Sequence, residues 1–392
     1  MWRNSFGTSS GRSFEERFDP RENSLAALRL LLALTVLLVH VQLIGWGEDA
    51  VLGRTGPGNV AVDGFFVVSG FLVTRSAVRL PTLRRFAWHR ALRILPGFWV
   101  GLAVTGLLVA PLLARIQGLP TGHVFTGDDP VHSFLLRNAL LLQRQWTVAG
   151  VHGGPDGRVT ALNGSLWTLF YEALCYGAVA VLVAVGVVRR VRGAHGRSPS
   201  HRVPLVLAGA VCAGYTAQST GALTVGPQFV TRFLLMFLLG ALGHLFAGRI
   251  VFTAPLLAAA AATALISMFA LQDYRPLGAV PLAYLLLWAV VALPLRWRST
   301  TDVSYGLYVF HWPVELLLAE AGLTSVGRLG FTVVALLVTT TLALASWHLV
   351  EAPALRLKDA AWVDAVPARL APARLAPARR TPAGRVAGSG QP

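Results

Sequence analysis

Residues Leu25–Gly45 read LAALRLLLALTVLLVHVQLIG, an apolar run that nonetheless carries Arg29 and His40. A helix rises about 1.5 Å per residue, so this run matches the roughly 30 Å hydrocarbon core of a bilayer. The spacing from Arg29 to His40 is about three full turns, which puts both side chains on one face, roughly 16 Å apart along the axis. An ionisable group within a span is costly, and by default it faces protein or water and marks a pathway or a site. Plainer readings stand beside that one: Arg29 snorkels to the inner headgroups, and His40 hydrogen-bonds within the bundle.

The rest of the chain has the same character. Of its 392 residues 54% are hydrophobic and only 13% charged, where a soluble domain carries about 25% charged residues. A net charge of +16 would point to nucleic acid if it were clustered on a soluble domain. Instead the arginines fall mostly in alternate loops, so no nucleic-acid partner is implied. Cys175 and Cys212 both fall in expected spans, which indicates neither a disulfide framework nor a metal site.

Ten apolar segments are expected to span: Leu25–Gly45, Val60–Val78, Ile94–Leu113, Leu162–Val188, Val203–Gln218, Phe229–Ala247, Ile250–Leu271, Leu277–Leu295, Val303–Ala321 and Gly327–Val350. The run Phe134–Leu142 is too short to cross and is expected to be a re-entrant or interfacial helix. With both termini cytoplasmic, and with Arg75 and Arg328 at span ends counted with the adjoining loops, 25 basic residues lie in inner segments and 7 in outer loops, leaving Arg29 and Arg232 inside spans. That asymmetry is what the positive-inside rule predicts. The fold class is therefore an all-α polytopic membrane protein. Its expected divisions are a cytoplasmic N-terminal segment at 1–24, a transmembrane domain at 25–358 and a disordered Pro/Ala/Arg-rich cytoplasmic tail at 359–392.

Further polar groups recur inside the apolar segments. Asp63 lies near the outer end of the second span and needs a partner, for which His40 is a candidate. Ser69 and Gly70 follow it and read as small residues for helix packing. Arg90 and Arg93 stand three apart before Pro96, so on a helix they project from one side and suit phosphate, or else serve only as a topology signal. Glu172 lies nearly two turns inside the span that opens at Asn163–Trp167, too deep for a belt residue. Ser304, Tyr308, His311 and Glu315 form one polar stripe, the pattern of a helix lining a cavity or a wet interface. Glu351 is either a terminal charge or part of the same set.

Taken together, Arg29 with His40, Val62–Phe71, Arg90–Pro96, Trp167 with Glu172, Ser304–Pro313 and Glu351–Pro353 resemble, in content and order, the acyltransferase family 3 proteins. These are polytopic enzymes that O-acylate sugars and related hydroxyl compounds. The resemblance covers about residues 22–358 and is to the form without an esterase-like domain. It implies acyl-coenzyme A, acetyl by default, as donor substrate, with no tightly bound cofactor. It also implies that Arg90 and Arg93 lie near the donor phosphates and that Arg29 and His40 are essential.

On that resemblance His40 is the expected general base for an acceptor hydroxyl, with Asp63 or Glu172 to orient it. Ser304, Tyr308 and His311 are expected along the substrate channel, and no metal is expected. His40 sits near the outer face while coenzyme A is cytoplasmic, so either the pantetheine arm reaches through or a covalent acyl-enzyme relays the group. The expected setting is the plasma membrane, and the expected acceptor is a carbohydrate or glycosylated small molecule. The alternative is a carrier that moves an acylated glycan without chemistry, since intramembrane charges fit that too.

Overall fold

The computed structural model describes residues 12–153, 161–186, 188, 202–224, 226–295, 301–360 and 363. Every regular element among them is helical. The principal helices are α1 (Leu25–Trp46), α2 (Pro57–Arg79), α3 (Leu83–Ala103), α4 (Val131–Asn138), α5 (Trp167–Ala184) and α6 (Arg202–Ser219). They continue with α7 (Gln228–Leu245), α8 (Ala254–Ala270), α9 (Arg275–Ala292), α10 (Ser304–Glu320) and α11 (Gly327–Ser346). Among the described residues, seven helical stretches are long and apolar enough to cross a membrane. They contain α1, α2, α3, α5, α7, α9 and α11. The other three expected segments coincide with α6, α8 and α10, of 18, 17 and 17 residues. This is a multi-pass, all-helical membrane architecture. The basic loop at 189–201 and the tail at 364–392 lie outside the described residues.

Local chemistry sets the ends of the helices that matter most. α1 stops at Gly47, whose φ of 69° is the left-handed cap that glycine adopts without a Cβ penalty. α2 opens on Pro57, where a missing N–H costs nothing. α3 begins eleven residues before the expected Ile94, so Arg84, Arg85, Arg90 and Arg93 ride on the helix rather than in a loop. Arginine is a good helix former, and Thr82 caps the first turn by accepting from the Arg85 N–H at 3.1 Å. The fourth expected span starts late, because residues 162–166 are turns and α5 opens only at Trp167. α4 has eight residues, about 12 Å of helix and too short to cross.

α1 packs against α2, α10 and α11. α2 crosses α7 at backbone contact: a Cβ on Gly70 would lie 2.0 Å from the Phe237 carbonyl oxygen, and one on Gly240 would lie 1.9 Å from that of Val67. The small-residue reading holds for Gly70. Two cavities lie within the bundle. One is lined by Arg29, Arg90 and Arg93, and the other by His40, Trp312 and Arg232.

Candidate active site

The arginine-lined cavity, hereafter the inner one, is built where α1, α3 and the start of α10 meet. Asp302 lies just ahead of α10, and its Oδ2 accepts from Arg29 Nη1 at 2.5 Å and from Arg93 Nη2 at 2.6 Å. Its Oδ1 accepts from the Ser304 hydroxyl at 2.6 Å and the Ser304 N–H at 3.2 Å. Burial pushes this carboxyl up, but the two guanidinium groups outweigh burial and hold it well below the usual carboxylate range. One carboxylate is thus shared by two cations. Arg90 adds a third cation, its guanidinium 5.7 Å from the Tyr176 ring centroid and its Nε a buried donor without a partner among the described residues. Such a cluster suits a polyanionic group.

Glu172 lines this same cavity and accepts from the Ser69 hydroxyl at 2.7 Å and the Tyr176 hydroxyl at 2.6 Å. Ser69 therefore does more than pack. Glu351 is buried on a π-helical turn at Trp347–Glu351, accepts from the Ser346 hydroxyl at 2.9 Å, and abuts α3 at Gly97. The terminal-charge reading of Glu351 does not hold, since it lies inside the protein beside the arginine cluster.

Eleven residues along α1 from Arg29, His40 lines the outer cavity. Its Nδ1 lies 2.8 Å from Nε2 of His311, with the two rings within 9° of parallel. His311 Nδ1 lies 3.1 Å from the Leu307 carbonyl, which only accepts, so Nδ1 carries the hydrogen and His311 Nε2 is the acceptor. His40 must then donate from Nδ1, and its Nε2 keeps a free lone pair. That is the tautomer a general base needs.

Trp312 meets the His40 ring edge-on at 4.7 Å and is itself tied by its indole N–H to the Ala161 carbonyl at 2.8 Å. The Asn163–Trp167 turn forms its cradle. A Cβ on Gly164 would fall 2.5 Å from the Trp312 ring. Asn163 donates to the Val309 carbonyl at 3.0 Å and to Thr105 at 3.2 Å.

Two expectations about His40 are corrected. Asp63 does not orient it: fully buried, Asp63 accepts from Arg232 Nε at 2.8 Å, Arg275 Nε at 2.6 Å and the Tyr274 hydroxyl at 2.6 Å. Two cations and a phenol outbid a single neutral imidazole for a buried carboxylate. Glu172 does not orient it either, being held in the inner cavity by Ser69 and Tyr176. The orienting place belongs to His311.

Of the expected stripe on α10, Ser304 and Tyr308 line the inner cavity and Tyr308 the outer one as well. Glu315 is buried with neither carboxyl oxygen partnered among the described residues. Two positions that knit the cavity walls together were not singled out in the sequence. Asp302 stands at the edge of the α10 motif, and the signal was a carboxylate two residues ahead of a serine that begins a helix, the pattern of a local Asp–backbone turn. Thr168 carries no sequence signal; its place follows from bonding Tyr308 across the bundle at 2.6 Å.

An acyltransferase domain family matches residues 22–348. Among curated relatives, nodulation protein 10 of Rhizobium leguminosarum bv. viciae is 28% identical over 387 residues, 88% of this chain and 96% of the relative. The exopolysaccharide production protein ExoZ of Rhizobium meliloti is 28% identical over 79% of this chain and 92% of its own length. An O-acetyl transferase of Shigella phage Sf6 is 30% identical over 42% of this chain and 46% of its own length. No solved structure shows a significant match.

Proposed function

The chain belongs to the acyltransferase family whose domain spans residues 22–348, and from that premise we propose a specific reaction: transfer of an acyl group from acyl-coenzyme A, acetyl by default, to a carbohydrate hydroxyl. An acyltransferase makes and breaks bonds, which sets aside the carrier without chemistry. The relatives named for O-acetyl transfer and for exopolysaccharide production support a glycan acceptor. The observation that carries the reading is the pairing of two cavities along α1, one lined by three arginines and the other by a histidine in the base tautomer.

In this scheme the nucleotide end of the donor sits on Arg90, Arg93 and Arg29 at the cytoplasmic side, and the pantetheine arm carries the thioester toward His40. His40 Nε2 takes the proton of the acceptor hydroxyl as its oxygen attacks the thioester carbonyl. The tetrahedral intermediate then collapses, the carbon–sulfur bond breaks, and the thiolate takes the proton from the imidazolium. Atoms and charge balance without a covalent acyl-enzyme. His311 Nε2 accepts the Nδ1 hydrogen throughout and so supports the charge that His40 acquires. The same scheme has the chain in the plasma membrane with both termini cytoplasmic, the side that supplies coenzyme A.

The test is thiol release from acetyl-coenzyme A by purified protein supplied with membranes of the producing cell as acceptor source. Wild type is expected to release thiol, and His40→Ala to release none above background. Full turnover by His40→Ala refutes the assignment. A rapid quench with labelled donor alone is expected to leave no label on protein, whereas a labelled protein means a relay.

A further inference from the structure

The linings of the two cavities have three residues in common: Val62 of α2, Thr168 of α5 and Tyr308 of α10. Thr168 Oγ1 and the Tyr308 hydroxyl are 2.6 Å apart, and both side chains are buried. The Tyr308 ring is braced edge-on by Phe65 at 5.7 Å. Where the two linings meet, the shared side chains are one hydroxyl pair and one valine. All three stand on helices, not loops, so the opening is set by side-chain size on rigid backbone.

We propose that Val62, Thr168 and Tyr308 form a neck through which the acyl-pantetheine arm is threaded, and that its bore selects the acyl group transferred. The inference rests on the acyl-coenzyme A reading above. A closed neck needs only one neutral hydrogen bond to part, and the donor itself brings replacements. Pantetheine carries two amides and the thioester a carbonyl, so each freed hydroxyl finds a partner on the arm, and neither is left bare in an apolar wall. Acetyl adds little width beyond the thioester itself. A straight acyl chain is no wider than the arm that follows it, but a branched one must force Val62 and the Tyr308 ring apart, in a bundle whose helices do not give way easily. With the arm in place the neck is plugged, which keeps the two cavities separate during turnover.

Full-length protein in membrane vesicles from the producing cell is assayed with radiolabelled acetyl-, isobutyryl- and isovaleryl-coenzyme A, and coenzyme A affinity is measured by titration calorimetry on the purified protein. Thr168→Ala and Val62→Ala are expected to raise the isobutyryl-to-acetyl transfer ratio at least fivefold. Val62→Phe is expected to cut transfer of all three donors at least tenfold while the Kd for coenzyme A stays within twofold, a split that a general packing defect does not produce.

Val62→Ala removes only two methyl groups, so it carries the test if Thr168→Ala does not fold. An unchanged isobutyryl-to-acetyl ratio in a folded, active Val62→Ala overturns the neck while leaving the donor assignment intact. A wild type that neither binds coenzyme A nor transfers from any of the three thioesters overturns the donor reading and the neck with it.

Discussion

His40 Nδ1 and His311 Nε2 lie 2.8 Å apart in nearly parallel rings, and the Leu307 carbonyl on the far side of His311 fixes which nitrogen carries each hydrogen. His311 is thus a positioning residue for His40. His311→Leu is expected to lower kcat by about 10²–10⁴-fold, the range for loss of a correctly set general base. His311→Gln, which offers an amide oxygen where Nε2 stood, should recover part of that loss. Thiol-release kinetics on both variants check this, and equal defects would remove His311 from the orienting role.

Arg90 makes a different prediction, because its Nε is a buried donor without a partner among the described residues. Arg90→Ala is expected to raise the KM for acetyl-coenzyme A at least tenfold with little change in kcat, the signature of lost ground-state binding. Arg90→Lys should rescue poorly, since an ammonium lacks the planar fork that grips phosphate. Steady-state kinetics decide between this and a purely topological arginine, which would leave KM unmoved.

Asp63 is expected to govern folding. Asp63→Ala leaves Arg232 and Arg275 without their shared carboxylate and the Tyr274 hydroxyl without an acceptor. Removing one partner of a buried ion cluster costs about 3–5 kcal/mol. Loss of monodisperse protein on size exclusion and a lowered thermal midpoint are the expected readouts. A stable but inactive Asp63→Ala would instead tie Asp63 to the chemistry.

Much of the bundle was legible in the sequence because a bilayer accepts few solutions: a run of about twenty apolar residues must be a helix that satisfies its own backbone. The cavities were half legible. Arg29, Arg90, Arg93 and Glu172 declared themselves as charges where charges are costly, and they do converge on one cavity. Their partners did not. His40 and His311 are 271 residues apart in the chain, and a helical pattern says which face a residue is on without saying which helix faces it. Asp63 was matched to the wrong neighbour because Arg275 read as an outer-loop topology signal, whereas it begins α9 and reaches Asp63 from there.

Asp302 gives a pH prediction. Its folded carboxyl is held below the ordinary value of about 3.9, so the unfolded state binds more protons as pH falls. The stability it contributes is full above about pH 4–5 and is lost as pH drops further through the folded value. Wild type should therefore unfold at a higher temperature than Asp302→Asn at pH 7, and the gap should narrow only in strongly acidic buffer. Thermal unfolding across pH 3–8 in detergent tests it; a gap that closes between pH 6 and 7 would mean another group titrates.

Gly70→Ala is expected to cost more than any other single methyl added to α2, because the new carbon would meet the Phe237 carbonyl at 2.0 Å and α7 must move away. Overpacking of this kind costs about 1–3 kcal/mol or more. Thermal unfolding of Gly70→Ala beside Ser76→Ala, on the same helix, separates the crossing from helix propensity.

Arg29 and His40 share one continuous helix with no proline between them. The distance from the anion-binding end of the reaction to its proton-accepting end is therefore a property of a single rigid rod, about 16 Å at helical rise. Motion of the surrounding helices can open or close access, but it cannot stretch that interval. On the proposed reaction this rod is a built-in gauge for the donor, and a thioester on a clipped carrier such as N-acetylcysteamine is expected to fall short of the mark however reactive its carbonyl.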